Sequence, residues 1–257
     1  MKRHRSPVAC SPMRRFALFT FVLLPFLDLL DLHAAEPRFR PALIGNGPRA
    51  LINLIDTKKL MEKGEPDGLL MFRCYVSRFG GASNLLILRD TPGSKLLKEE
   101  LQSCFWDRLR FIPAIYNGER ADVLFSGTLV FFVTDGKPHL RIYANHSDSD
   151  IEKGNDFVAP QVVANTPDWV GSRFDLVAQK ARVYGQNGLV HLSITVDVNG
   201  NQRALKVVSE EPPGFGFGEN IRKMYAKAKW VPGFRNGYPF DCTFDYPEVF
   251  LTWRGPP

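Results

Sequence analysis

Three glycines in the run PPGFGFGEN, residues 212–220, stand between a strand-like segment, ALKVVSEE, and a helix-like one, ENIRKMYAKAKW. A glycine-rich turn ahead of a helix can cradle a phosphate, because backbone N–H groups and the helix dipole converge on an anion there. The spacing at Gly214, Gly216 and Gly218 is G-x-G-x-G. A dinucleotide loop needs G-x-G-x-x-G, and a Walker loop ends in Lys-Ser/Thr. Neither pattern is present, so the glycines read as a strand-to-helix connector.

The other reactive residue types form no recognisable set. His139, His146 and His191 lie in no known motif, and His191 falls on the polar side of an alternating segment, the place of an exposed histidine. The run HSDSDIEKGND gathers His146, Asp148, Asp150, Glu152 and Asp156. It fails the calcium-loop pattern, because Lys153 stands where the invariant glycine belongs and Ala159 where the bidentate glutamate belongs, and it reads as a solvated linker. Cys74 sits on the inward side of a strand and Cys104 on the helix stripe that would cover it, so a Cys74–Cys104 disulfide is one reading. A strand and its covering helix seldom bring Cα atoms within the ~7 Å a bridge needs, which favours buried free thiols. Cys242 reads as core. With no acid/base pair or activated nucleophile, the residues point to a non-enzymatic protein without a cofactor or metal.

The chain has 257 residues, 44% hydrophobic and 23% charged, the make-up of one or two globular domains. Its first 35 residues differ in kind. Lys2, Arg3, Arg5, Arg14 and Arg15 precede the apolar run FALFTFVLLPFL, which stops at Asp28 and Asp31 before LHAAE. This is the layout of a secretory signal peptide cleaved near Ala34 or Ala35. The alternative is an inner-membrane anchor, but Phe16 to Leu27 is short for a bilayer, and extension to Leu32 would bury two aspartates and a proline. Without its five basic and two acidic residues, the 33 Lys+Arg and 27 Asp+Glu become 28 and 25, and net charge falls from +6 to +3. No basic cluster remains to bind nucleic acid.

An internal repeat organises the rest. GLLMFRCYVSRFGGASNLLIL (68–88) aligns with GLVHLSITVDVNGNQRALKVV (188–208), superposing Gly68, Val76 and Gly80 on Gly188, Val196 and Gly200. After a one-residue slip, FIPAIYNGERADVLF (111–125) aligns with WVPGFRNGYPFDCTF (230–244), so that Pro113, Asn117 and Gly118 fall on Pro232, Asn236 and Gly237. PALIGNGP (41–48) likewise matches PQVVANTP (160–167). The expected organisation is one copy over residues 41–150 and a second over 158–257. Within each, Leu70, Phe72, Cys74 and Val76, or Val190, Leu192, Ile194 and Val196, alternate as a half-buried strand. A glycine-bearing turn, a returning strand, an amphipathic helix and a last strand complete the unit. The predicted fold class is α+β: two tandem ββαβ units, each a small antiparallel sheet with a helix packed on one face. Short helices are expected near residues 50–62 and 169–182.

A glycine before an alternating strand, a returning strand, a helix and then KWVPGFRNGYPFDCTFDYP resembles the C-terminal domain of TonB, the periplasmic part of bacterial energy transducers. Trp230, Pro232, Gly237 and Pro239 carry the resemblance in the second copy; the first keeps Phe111, Pro113 and Gly118 but has Arg120 at the last position. The family's Tyr-Pro before the first strand is absent. A transducer would also need an uncleaved anchor and a long proline-rich spacer, whereas EPRFRP spans only roughly 20 Å. The resemblance implies a periplasmic or secreted binding or scaffolding module. Its partner would be an envelope protein or extended peptide, added as a strand beside the last strand at Phe240, Asp241, Cys242, Thr243, Phe244 and Asp245. A membrane-anchored transducer engaging an outer-membrane transporter is the alternative, and self-association is a further option for an open sheet edge.

Overall fold

The computed structural model describes residues 37–105, 108–144, 157–164, 166 and 179–251. In the first half of the chain the elements are β1 (Phe39–Arg40), α1 (Leu51–Leu54), α2 (Thr57–Glu62), β2 (Gly68–Val76), β3 (Ala82–Asp90), α3 (Lys95–Cys104), β4 (Ala114–Tyr116), β5 (Glu119–Ala121), β6 (Val123–Thr134) and β7 (Lys137–Ala144). In the second half they are β8 (Phe157–Val158), β9 (Gln161–Val162), α4 (Gln179–Tyr184), β10 (Gly188–Val196), β11 (Gln202–Glu211), α5 (Phe217–Tyr225), β12 (Trp230–Val231), β13 (Gly233–Arg235), β14 (Tyr238–Phe240) and β15 (Cys242–Phe250). The architecture is α+β, with antiparallel pairing throughout the described sheets.

The larger sheets follow the period-2 pattern of the sequence. Leu70, Phe72, Cys74 and Val76 are buried in the four-stranded sheet β3-β2-β6-β7, and Val190, Leu192, Ile194 and Val196 in the three-stranded sheet β11-β10-β15. Burying such a strand face is worth roughly 1.5–3 kcal/mol per large side chain. One amphipathic helix supplies the apolar stripe for each face: Leu97, Leu101 and Cys104 from α3, and Phe217, Ile221, Met224 and Tyr225 from α5. Small sheets, β1-β4-β5 and β14-β13-β8, flank them. Gly80 and Gly200 take positive φ in the two hairpin turns, and their N–H groups donate to Ser77 and Asp197 carbonyls.

Several details depart from the sequence-based expectation. The first half continues past β6 into β7, whose Leu140 and Ile142 pack on its core; the alternation of KPHLRIYA is that of a further strand. The last strand of the second half is broken. Phe240 belongs to β14 and pairs with Gly233, Asp241 lies in no strand, and β15 begins at Cys242. The lead segments pair with a one-residue shift from the sequence alignment: Leu43 lies opposite Ile112, but Gln161 opposite Val231. Short helices α1 and α2 occupy 51–62, and α4 starts at Gln179; the earlier part of the 169–182 expectation and the 145–156 run lie outside the described residues.

The halves share their cores. Leu124 of β6 packs into the second-half cluster, whereas Val163 and Val231 join the first. Val163 bridges Val123, and the Gln161 side chain both accepts from the Ala42 N–H at 2.7 Å and donates to the Ala42 carbonyl at 3.0 Å. The described residues accordingly belong to one compact unit.

Candidate functional site

β15 lies at the side of its sheet, and pairing fixes which of its backbone groups point outward. It pairs with β10 from Gly188↔Phe250 to Val196↔Cys242 without a break. Pro247 has no N–H, so His191↔Pro247 is a pair that exchanges no hydrogen bonds, and antiparallel geometry then alternates along the strand. The main-chain groups of Phe244, Tyr246 and Glu248 therefore face β10, while those of Thr243, Asp245, Pro247 and Val249 face away. No strand pairs with that outer side among the described residues. Of the six residues expected at the edge, Cys242 and Phe244 are buried, Thr243 and Asp245 are exposed, and Phe240 and Asp241 precede the strand. Thr243 Oγ1 lies 2.8 Å from Thr195 Oγ1 across the ladder. Asp241 Oδ1 accepts from the Val198 N–H at 2.9 Å, as Asp122 accepts from Arg78 N–H at 2.7 Å, so each aspartate ties a hairpin turn to the start of the strand that follows it, β15 or β6.

A buried ionic cluster adjoins this strand, assembled from both halves. Arg73 of β2 is 3% exposed and Glu248 of β15 is 5% exposed; Arg73 Nη1 donates to Glu248 Oε2 at 2.9 Å. Arg73 Nη2 donates to the Pro247 carbonyl at 2.5 Å, and the guanidinium lies 4.3 Å from the Tyr246 ring centroid. Tyr225 of α5 donates its hydroxyl to Glu248 Oε2 at 2.9 Å. Burial, reinforced by Glu248, pushes the Tyr225 hydroxyl well above the ordinary tyrosine range, so it stays a donor. Burial alone would lower the Arg73 pKa, but Tyr246 and Glu248 raise it, so the guanidinium stays charged. Sequence reasoning missed both charged residues. Arg73 follows the outward parity of β2 and gives no sign of burial, but Glu248 shares the inward register of Cys242, Phe244 and Tyr246, and a carboxylate there needs a partner.

The glycine-rich connector does hold an anion, and the chain supplies it. Glu210 Oε1 accepts from the N–H groups of Phe215 at 3.1 Å and Gly216 at 2.9 Å, while its Oε2 accepts from Gly218 at 2.9 Å. At α3 the same need is met by Glu65, which accepts from Leu96 at 3.1 Å and Leu97 at 3.0 Å. Each helix start thus has its orphan donors and dipole satisfied by an internal carboxylate. Glu210→Ala is expected to cost about 1–2 kcal/mol, seen as a fall of several degrees in the thermal midpoint. Glu211→Ala, at an exposed neighbour, should leave the midpoint nearly unchanged.

The remaining candidates stay apart. Cys74, Cys104 and Cys242 are all buried, and the Cys74–Cys104 bridge is not formed; Cys104 Sγ donates instead to the Glu100 carbonyl at 3.1 Å. Burial pushes the Cys74 and Cys104 thiols above their ordinary value, away from thiolate chemistry. His191 is exposed, and His139 stacks on Phe132 with ring centroids 5.0 Å apart. A surface hollow of about 460 Å³ is lined by Ala82, Ser83, Asn84, Leu85, Gln102 and Phe105, none of them titratable. Among the described residues no group of three His, Cys, Asp or Glu side chains is placed to hold a metal, and no helix is long and apolar enough to cross a membrane.

No protein-family model matches the sequence, and no similar curated protein is found.

Proposed function

We propose that the protein is an exported, non-enzymatic binding or scaffolding module built from two degenerate copies of a ββαβ unit resembling the TonB C-terminal domain. It would receive an extended segment of an envelope partner along the outer side of β15. The observation that supports this reading is the alternation of that strand: the backbone groups of Thr243 and Asp245 face away from β10, and no strand pairs there among the described residues. Unpaired edge groups are a template for strand addition, in which main-chain hydrogen bonds supply affinity. The paired hairpin glycines, the two helix-capping glutamates and the Asp122/Asp241 contacts support the duplication.

Thr243→Pro tests the site. It removes one outward N–H while sparing the β10 ladder, at a position of the same parity as the native Pro247. Capture of a partner from envelope extract is expected to fall about tenfold or more, with the thermal midpoint little changed. Unchanged capture would exclude this edge. N-terminal sequencing of the native protein is expected to begin near Glu36; an intact Met1 or Lys2 would support the anchored alternative instead.

A further inference from the structure

The first half of the chain already shows where a fourth strand lies on such a sheet. β7 pairs with β6 from Gly127↔Ala144 to Thr134↔Lys137. In the alignment that sets Pro113 on Pro232, Gly127 falls on Tyr246, Thr128 on Pro247 and Phe131 on Phe250. The corresponding slot on β15 therefore runs along Tyr246 to Phe250. Arg73 lies in it. Thr128, opposite Tyr143 of β7, corresponds to Pro247, which has no N–H to offer and whose carbonyl already accepts from Arg73. Glu248 and the Tyr246 ring hold the guanidinium in place.

We propose that Arg73 gates the edge of β15. It closes the stretch beyond Asp245, so that a partner strand engages at Thr243 and Asp245 and extends toward Val249 only when the guanidinium leaves Pro247. The segment that the opened slot would take is β7-like: extended, with apolar residues such as Leu140 and Ile142 alternating with basic ones such as His139 and Arg141. This inference rests on the reading that β15 receives a partner strand. It gives the first half a role in the second, as the source of the residue that limits pairing.

The test uses a labelled synthetic peptide with the sequence of Lys137–Ala144 and the full chain, followed by fluorescence anisotropy. Arg73→Met with Glu248→Met removes the gate and its counter-charge together, so no charge is left buried alone. The double variant is expected to bind the peptide about tenfold or more tighter than the wild type, the effect of relieving a charged hydrogen bond. Adding Val249→Pro, which deletes an outward N–H, should return affinity to the wild-type level. Arg73→Lys keeps a cation near Glu248 but not the fork that also reaches Pro247, and should shift affinity in the same direction by less.

Equal affinity for the wild type, the double variant and Arg73→Lys, including no binding by any of them, would overturn the gate, as would a gain that survives Val249→Pro. The Thr243→Pro capture reads the other claim separately. Lost capture without a peptide gain removes the gate alone, whereas a peptide gain with unchanged capture keeps the gate and moves the partner elsewhere.

Discussion

Arg73→Ala is expected to lower stability by about 3–5 kcal/mol, the cost of leaving one member of a buried ion pair without its counter-charge. The stranded group would be Glu248, held on the inward register of β15 among Phe244, Tyr246 and Phe250. Tyr225 would remain its donor, but a single uncharged hydroxyl does not replace the counter-charge of a guanidinium that also carries the Pro247 carbonyl. The loss would fall on the packing of both halves, since β2 and β15 come from opposite ends of the chain. Arg73→Met with Glu248→Met should stay within about 1–2 kcal/mol of the wild type, because the desolvation penalty of both charges is removed along with their attraction. Urea unfolding of the three proteins measures this directly. A single-variant loss below about 1 kcal/mol would mean that water reaches the pair.

Gly200→Ala and Gly80→Ala are expected to be similarly damaging, each costing at least ~2 kcal/mol. Both glycines hold positive φ, +75° and +78°, and a Cβ at either position would run into a backbone carbonyl oxygen, that of Trp230 or of Phe111. A backbone oxygen cannot swing aside as the end of a side chain can. Gly237 provides the contrast: its φ is +79° but a Cβ there meets nothing within 4 Å, so Gly237→Ala should cost only the conformational ~1–2 kcal/mol. Thermal or urea unfolding would reveal the ranking. If Gly200→Ala and Gly237→Ala cost the same, the close approach of hairpin and Trp230 is not a constraint.

These two glycines also mark how much of the structure was legible. Local patterns read well: the alternation around Val190 to Val196, the stripe through Ile221, Met224 and Tyr225, and the glycine turns each depend on residues a few positions apart. Non-local contacts did not. Arg73 has the outward parity of an exposed strand residue, and only the placement of β15 against β2 buries it. The connector at Gly214 to Gly218 drew attention as an anion cradle, and it is one, but its anion is Glu210, a few residues upstream at the end of β11. The break at Asp241 was hidden because Phe240 and Cys242 continue the alternation, while the hydrogen bond from Val198 that holds Asp241 involves a distant turn. The signal that sequence did contain was Glu248, a carboxylate in an apolar register.

Amide hydrogen exchange of the full chain, resolved at single residues without any partner, tests the open edge most directly. Phe244 and Tyr246 should exchange slowly, as ladder donors to β10, whereas Thr243, Asp245 and Val249 should exchange fast. Slow exchange at Thr243 and Asp245, matching their neighbours, would mean that the edge is already covered and has no place for a partner strand.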